Sequence, residues 1–87
     1  LFEAILLLED KEECYKFFKD IATIAEIKAL GQRLEVAKML KQGVTYEEIV
    51  EKTGVSTATI SRVKRALDYG EDGYNLILDK MDIEDID

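Results

Sequence analysis

The sequence has no proline, no histidine, a single cysteine and only five glycines in 87 residues. Each shortage excludes something. One thiol, Cys14, cannot close an internal disulfide, so a disulfide scaffold is ruled out. Without histidine the usual zinc ligand sets are missing, and neither metal nor cofactor is expected. The same absence removes the commonest general base, so the chain is not expected to be an enzyme. No apolar run approaches the roughly 18–20 residues of a membrane helix, and no secretory signal is legible. Its length is that of one small soluble domain spanning 1–87. The chain opens at Leu1 without a methionine, so the natural protein is expected to start upstream.

Basic residues are also in deficit. Twelve Lys and Arg face nineteen Asp and Glu, a net charge of −7 that speaks against a polyanionic partner. The charges are unevenly spread, however. Residues 1–30 hold four bases and seven acids, 31–67 seven bases and four acids, and 68–87 one base and eight acids. The middle of the chain is net positive. Screening over about 8–10 Å lets a local basic surface act while a distant acidic end is partly hidden.

What is present is helical pattern almost throughout: Leu, Ala, Glu, Lys and Ile recur at three- and four-residue spacings, with little β-branched alternation. An all-α chain of about six helices is expected. The first covers Leu1 to about Leu8. Asp10 with Glu13, Thr23 with Glu26 and Thr45 with Glu48 have capping-box spacing and start three more. The third helix carries Ile24, Ile27, Leu30, Leu34, Ala37 and Leu40 as one apolar stripe, and Gly43 is its C-terminal cap. Ser56 caps a fifth helix through about Leu67. Asp68 to Gly73 reads as a loop, a short helix with Tyr74, Leu76, Ile77, Leu78 and Met81 follows, and the acidic Asp82 to Asp87 is expected to fray. Leu1–Leu8 and the third helix present more apolar surface than so small a chain easily covers. Either a second copy buries it or the helices fold back on one another.

The most informative stretch is Thr45–Leu67, which has the layout of a helix-turn-helix. Two steeply crossing helices need a residue tolerant of positive φ at their corner, and Gly54 supplies it. Val55 plugs the turn, while Ile49, Ile60 and Val63 interlock beneath it. The outer surface of the second helix suits DNA. Ser56, Thr57, Thr59 and Ser61 are short hydrogen-bonding groups, and Ala58 permits close approach to a groove floor. Arg62, Lys64 and Arg65 add three positive charges, with no acid between Val55 and Leu67. Ser56 and the first amides of the helix can receive a phosphate. The plainer alternative is an αα-hairpin with a basic solvated face.

The runs Leu30–Gly43, Thr45–Ile49 and Ser56–Arg62 resemble the tryptophan-repressor superfamily, in particular its YerC/YecD-type branch. The aromatic segment Glu12–Phe18 and the Asp68-Tyr69-Gly70 exit also resemble that branch, and Ala58-Thr59-Ile60-Ser61-Arg62 is the most specific part. The resemblance implies an intertwined all-helical homodimer in which 1–42 supplies the dimerisation helices, 45–67 the helix-turn-helix and 68–87 an acidic C-terminal loop and helix. It further implies an effector pocket at Thr23, Arg33 and Arg62. Val63 and Ala66 depart from the glycine and serine that the repressor has there, so L-tryptophan binding is not expected. Glu47 and Val50 stand where the repressor has basic residues, which puts DNA contacts from the first motif helix in doubt, and Val50 suggests a slightly wider helix crossing.

The leading expectation is thus a cytoplasmic, bacterial, homodimeric transcription regulator or repressor that reads double-stranded DNA with Ser56, Thr57, Ala58, Thr59, Ser61, Arg62, Lys64 and Arg65. The alternative is a helical protein-protein interaction module that uses the helix-turn-helix as scaffold. Cys14, among aromatic residues and without a histidine, reads as a core or interface residue.

Overall fold

The computed structural model describes the backbone of residues 1–86 and the side chains through Asp82. Six helices follow in order: α1 Phe2–Leu6, α2 Lys11–Ile21, α3 Ile24–Lys41, α4 Tyr46–Thr53, α5 Thr57–Tyr69 and α6 Gly73–Ile86. There is no strand among the described residues, so the all-α expectation holds. The packing divides the chain into two compact units, Leu1–Leu30 and Gly31–Asp87.

The first unit is made of α1, α2 and the start of α3. Its helix starts are set by side-chain caps. The Asp10 carboxylate accepts from the Glu13 amide at 2.8 Å, but Glu13 returns its carboxylate to the amide of Glu9, at 2.9 Å, instead of to Asp10. The expected box is therefore displaced by one residue on its return side. Thr23 and Glu26 form the full reciprocal box: the Thr23 hydroxyl accepts from the Glu26 amide at 3.1 Å, and the Glu26 carboxylate accepts from the Thr23 amide at 2.9 Å. That bond from the Thr23 amide, reinforced by the Thr23 hydroxyl, holds the Glu26 carboxyl below its ordinary value of 4.5.

Neither α1 nor α2 contains a buried residue. Phe17 and Phe18 meet edge to face with centroids 5.4 Å apart, yet Phe2, Leu6, Leu7 and Ile24 remain largely exposed, Leu6 by 84%. This unit does not close a core within one chain.

The second unit does close one. Val36, Ala37 and Met39 from α3, Ile49 from α4, Val55 from the turn, Ile60 and Val63 from α5 and Leu78 from α6 form a single buried cluster. Leu34, Leu40, Val44, Tyr46, Val50, Leu67 and Tyr74 pack around it. Full burial of Ile49, Ile60 and Val36 stabilises the unit by about 1.5–3 kcal/mol per side chain. Of the expected α3 stripe, Ala37 is buried and Leu34 and Leu40 pack against the core, while Ile24 and Leu30 are exposed; the neighbours Val36 and Met39 are buried as well. Apolar residues lie on more than one side of α3, so spacing alone does not select which side this core takes.

The exit from α3 follows the Schellman pattern: the Gly43 amide donates to the Leu40 carbonyl at 3.1 Å and the Val44 amide to the Met39 carbonyl at 3.0 Å. The expected cap at Gly43 is present. Two boundaries differ from expectation. Helix α5 continues to Tyr69, and the chain leaves at Gly70, whose amide donates to the Ala66 carbonyl at 2.9 Å and where a Cβ would collide with that carbonyl oxygen. The loop is thereby reduced to Gly70–Asp72, and α6 runs beyond the expected Met81 through backbone that was expected to fray. Asp87 and the side chains of 83–87 lie outside the described residues. Asn75 ties the loop down by donating to the Leu67 carbonyl at 3.4 Å and to Asp72 Oδ1 at 2.9 Å.

Candidate nucleic-acid interface

The helix-turn-helix lies wholly within the second unit, and its local geometry follows from five hydrogen bonds. Thr45 starts α4 by accepting from the Glu48 amide at 3.3 Å, the forward half of the expected box. At the other end, Gly54 adopts φ 75° and donates its amide to the Val50 carbonyl at 2.8 Å. A left-handed residue is what turns the chain here, and a side chain would strain it. Thr53 braces the corner: its hydroxyl donates to the Ile49 carbonyl at 2.6 Å and accepts from the Val55 amide at 3.2 Å. Ser56 then starts α5, accepting from the Thr59 amide at 3.2 Å. Ile49, Val55, Ile60 and Val63 are all buried, as expected for the shared core of the motif.

With Ile60 and Val63 turned inward, the outer side of α5 presents two neighbouring lines at four-three-four spacing. One is Thr57, Ser61, Lys64 and Asp68. The other is Ala58, Arg62, Arg65 and Tyr69. All eight are exposed. Of the residues expected to meet DNA, Ser56 is exposed as well, while Thr59 is half-buried with its hydroxyl 3.1 Å from that of Ser56. Ser56 and Thr59 are thus tied to each other at the cap, whereas Thr57, Ala58, Ser61, Arg62, Lys64 and Arg65 are exposed on the outer face or its flank.

The three bases are not equivalent. Lys64 Nζ lies 3.3 Å from Asp68 Oδ1, while among the described residues Arg62 and Arg65 enter no ion pair. Tyr69 was not singled out for this surface, yet it is 85% exposed and prolongs the arginine line by one turn. The signal for it was the four-residue step from Arg65, hidden by placing the helix end at Leu67. On α4, Glu47 is exposed and Val50 packs against the core, so neither offers positive charge.

Of the residues considered for an effector pocket, Thr23 belongs to the first unit and spends its hydroxyl on the helix cap, while Arg33 and Arg62 are exposed in the second. Val63 is 2% exposed within the core cluster, and Ala66 is half-buried. No group of side chains suited to a metal ion occurs among the described residues, and none of the helices searched there is long and apolar enough to cross a membrane.

A family model described as Trp repressor protein matches residues 1–82. The chain belongs to the Trp repressor family. The match covers the first unit and the whole helix-turn-helix. The family is regulatory and non-enzymatic. The chain is 60% identical over 81 residues to the uncharacterized protein YerC of Bacillus subtilis (strain 168), covering 93% of this chain and 78% of that protein. Its fold is similar to that of a proposed Trp repressor from Staphylococcus aureus, with a TM-score of 0.90 and 61% identity over 94% of this chain and 82% of the other. A TrpR-like protein from Eubacterium eligens ATCC 27750 is similar as well, with a TM-score of 0.89 and 57% identity over 92% of this chain and 82% of the other.

Proposed function

We propose that this Trp repressor family member is a sequence-specific regulator of transcription that binds double-stranded DNA as a homodimer. The observation that carries the reading is the outer face of α5, where Ala58, Ser61, Arg62 and Arg65 are exposed opposite the buried Ile60 and Val63. Thr57, Ala58 and Ser61 approach base edges, Arg62 and Arg65 meet phosphates with Lys64 beside them on the phosphate side, and Ser56 with Thr59 fixes the start of the helix against the backbone. Residues 45–67 are the DNA-reading segment, 1–42 supply the dimer contacts and 68–87 form the acidic C-terminal loop and helix. The protein acts in the bacterial cytoplasm as a repressor without a bound cofactor.

The dimer is supported by the first unit, whose exposed Leu1, Phe2, Leu6, Leu7 and Ile24 have no core of their own to enter. Burying them against a second copy removes this apolar surface from water. In such a dimer the two recognition helices address half-sites about 34 Å apart, one turn of duplex. L-tryptophan is not proposed as the effector, since the Thr23 hydroxyl is committed to the Glu26 amide and Val63 replaces a glycine of the repressor's pocket. Free L-tryptophan should leave the melting temperature unchanged.

Capture of genomic duplex fragments by the purified protein, followed by footprinting, tests the reading. It expects a two-fold symmetric protected sequence with half-sites one helical turn apart. Failure to enrich duplex DNA from low to physiological salt would overturn it in favour of a protein-binding helical module.

A further inference from the structure

We propose that Asp68 sets the strength of DNA binding by holding Lys64, so that one of the three bases on the recognition helix is neutralised in the free protein. The proposal rests on the DNA-binding reading. Lys64 Nζ and Asp68 Oδ1 are 3.3 Å apart on successive turns of α5, with the lysine N-terminal to its partner and both side chains about half exposed, 50% and 43%. Asp68 is the only acid of the helix. It ends the line Thr57, Ser61 and Lys64, which lies beside the line bearing Arg62 and Arg65, neither of them in an ion pair among the described residues.

The physical consequence concerns counterions. An arginine that meets a phosphate replaces condensed cations on the duplex, and their release drives association. Lys64 cannot contribute in the same way. To reach a phosphate it must leave Asp68, and it then leaves an unpaired carboxylate one turn away from a polyanion. The exchange of one anionic partner for another yields little, so the helix binds as if it carried two bases and not three. A half-exposed pair of this kind is weak enough to open, which makes Asp68 a graded restraint and not a block. Since phosphates are alike at every sequence, the restraint acts on all duplexes equally and leaves base preference to Ala58 and its neighbours.

Full-length wild type, Asp68→Asn, Lys64→Gln and the double variant should be compared by fluorescence anisotropy on a duplex recovered by genomic capture and on a scrambled duplex, over a series of salt concentrations. Asp68→Ala serves as a second variant, and circular dichroism confirms that each chain is helical. Asp68→Asn should tighten binding by about two- to five-fold on both duplexes and steepen the dependence of log K on log salt by up to about one. In the Lys64→Gln background the same change should leave the slope unaltered and tighten binding less, since only the repulsion between the Asp68 carboxylate and the duplex is then removed. If Asp68→Asn and Asp68→Ala bind like the wild type, the restraint does not exist. An equal gain with and without Lys64 would mean simple repulsion of DNA by Asp68, and would equally overturn the pairing. A wild type that binds neither duplex at any salt removes the DNA-binding reading itself, a result distinguishable from either of these.

Discussion

Gly54 donates its amide to the Val50 carbonyl at 2.8 Å while holding φ at 75°, and this one relationship both ends α4 and aims α5. A Cβ at Gly54 would touch nothing within 4 Å, so its cost is conformational and not steric crowding. Gly54→Ala should therefore destabilise the protein by about 1–2 kcal/mol, and Gly54→Asn by less, because asparagine tolerates the left-handed region. Thermal unfolding followed by circular dichroism measures the difference. A Gly54→Ala protein as stable as the wild type would remove the left-handed turn from the account.

Ile60 is fully buried where α5 meets the core, and Ile49 is its counterpart on α4. Ile60→Ala should cost about 2–5 kcal/mol, with a sharp loss of urea resistance, whereas Ser61→Ala next to it should stay within about 0.5 kcal/mol. The pair of measurements separates the inner from the outer side of one helix. Similar losses at both positions would contradict the assigned face.

The Thr23–Glu26 box gives a pH-dependent signature. The Glu26 carboxyl is held below its ordinary value of 4.5 by the bond from the Thr23 amide. A depressed folded-state value means that the stabilisation is present above 4.5 and is lost as pH falls through the lower, folded-state value. The melting temperature of the wild type should exceed that of Glu26→Gln at neutral pH, and the gap should close on acidification below 4.5. A gap that is independent of pH would assign the effect to something other than the carboxylate.

The helix-turn-helix is legible in the sequence because each of its constraints is local. Gly54 marks the corner, Ser56 the new helix start, and Ile49, Ile60 and Val63 the shared core at fixed offsets. The same holds for the Thr23–Glu26 box. What is not legible depends on distant partners or on competition between contacts. Val36 and Met39, not Ile24 and Leu30, are buried along α3, since apolar residues on several sides of a helix leave its inward side to be chosen by what packs there. The end of α5 is marked by the tight approach of Gly70 to the Ala66 carbonyl, which periodicity does not reveal. Glu13 accepts from the Glu9 amide and not from that of Asp10, a choice between neighbouring donors that residue spacing does not fix.

The exposed apolar residues of the first unit lead to a prediction about assembly. Leu6 and Leu7 sit beside each other at the end of α1 with most of their surface in water. If a second copy covers them, the melting temperature should rise with protein concentration, and Leu6→Ser with Leu7→Ser should lower it and shift sedimentation from dimer to monomer. A wild type that sediments as a monomer at all concentrations would contradict the dimer.

Arg62 and Arg65 of α5, exposed and without an ion pair among the described residues, are proposed to face DNA phosphates. The slope of log K against log salt, measured for the wild type and for the Arg62→Ala, Arg65→Ala double variant on the same duplex, tests it most directly. The double variant should bind more weakly at every sequence, with a slope shallower by about two per recognition helix, one for each lost phosphate contact. An unchanged affinity and slope would contradict it.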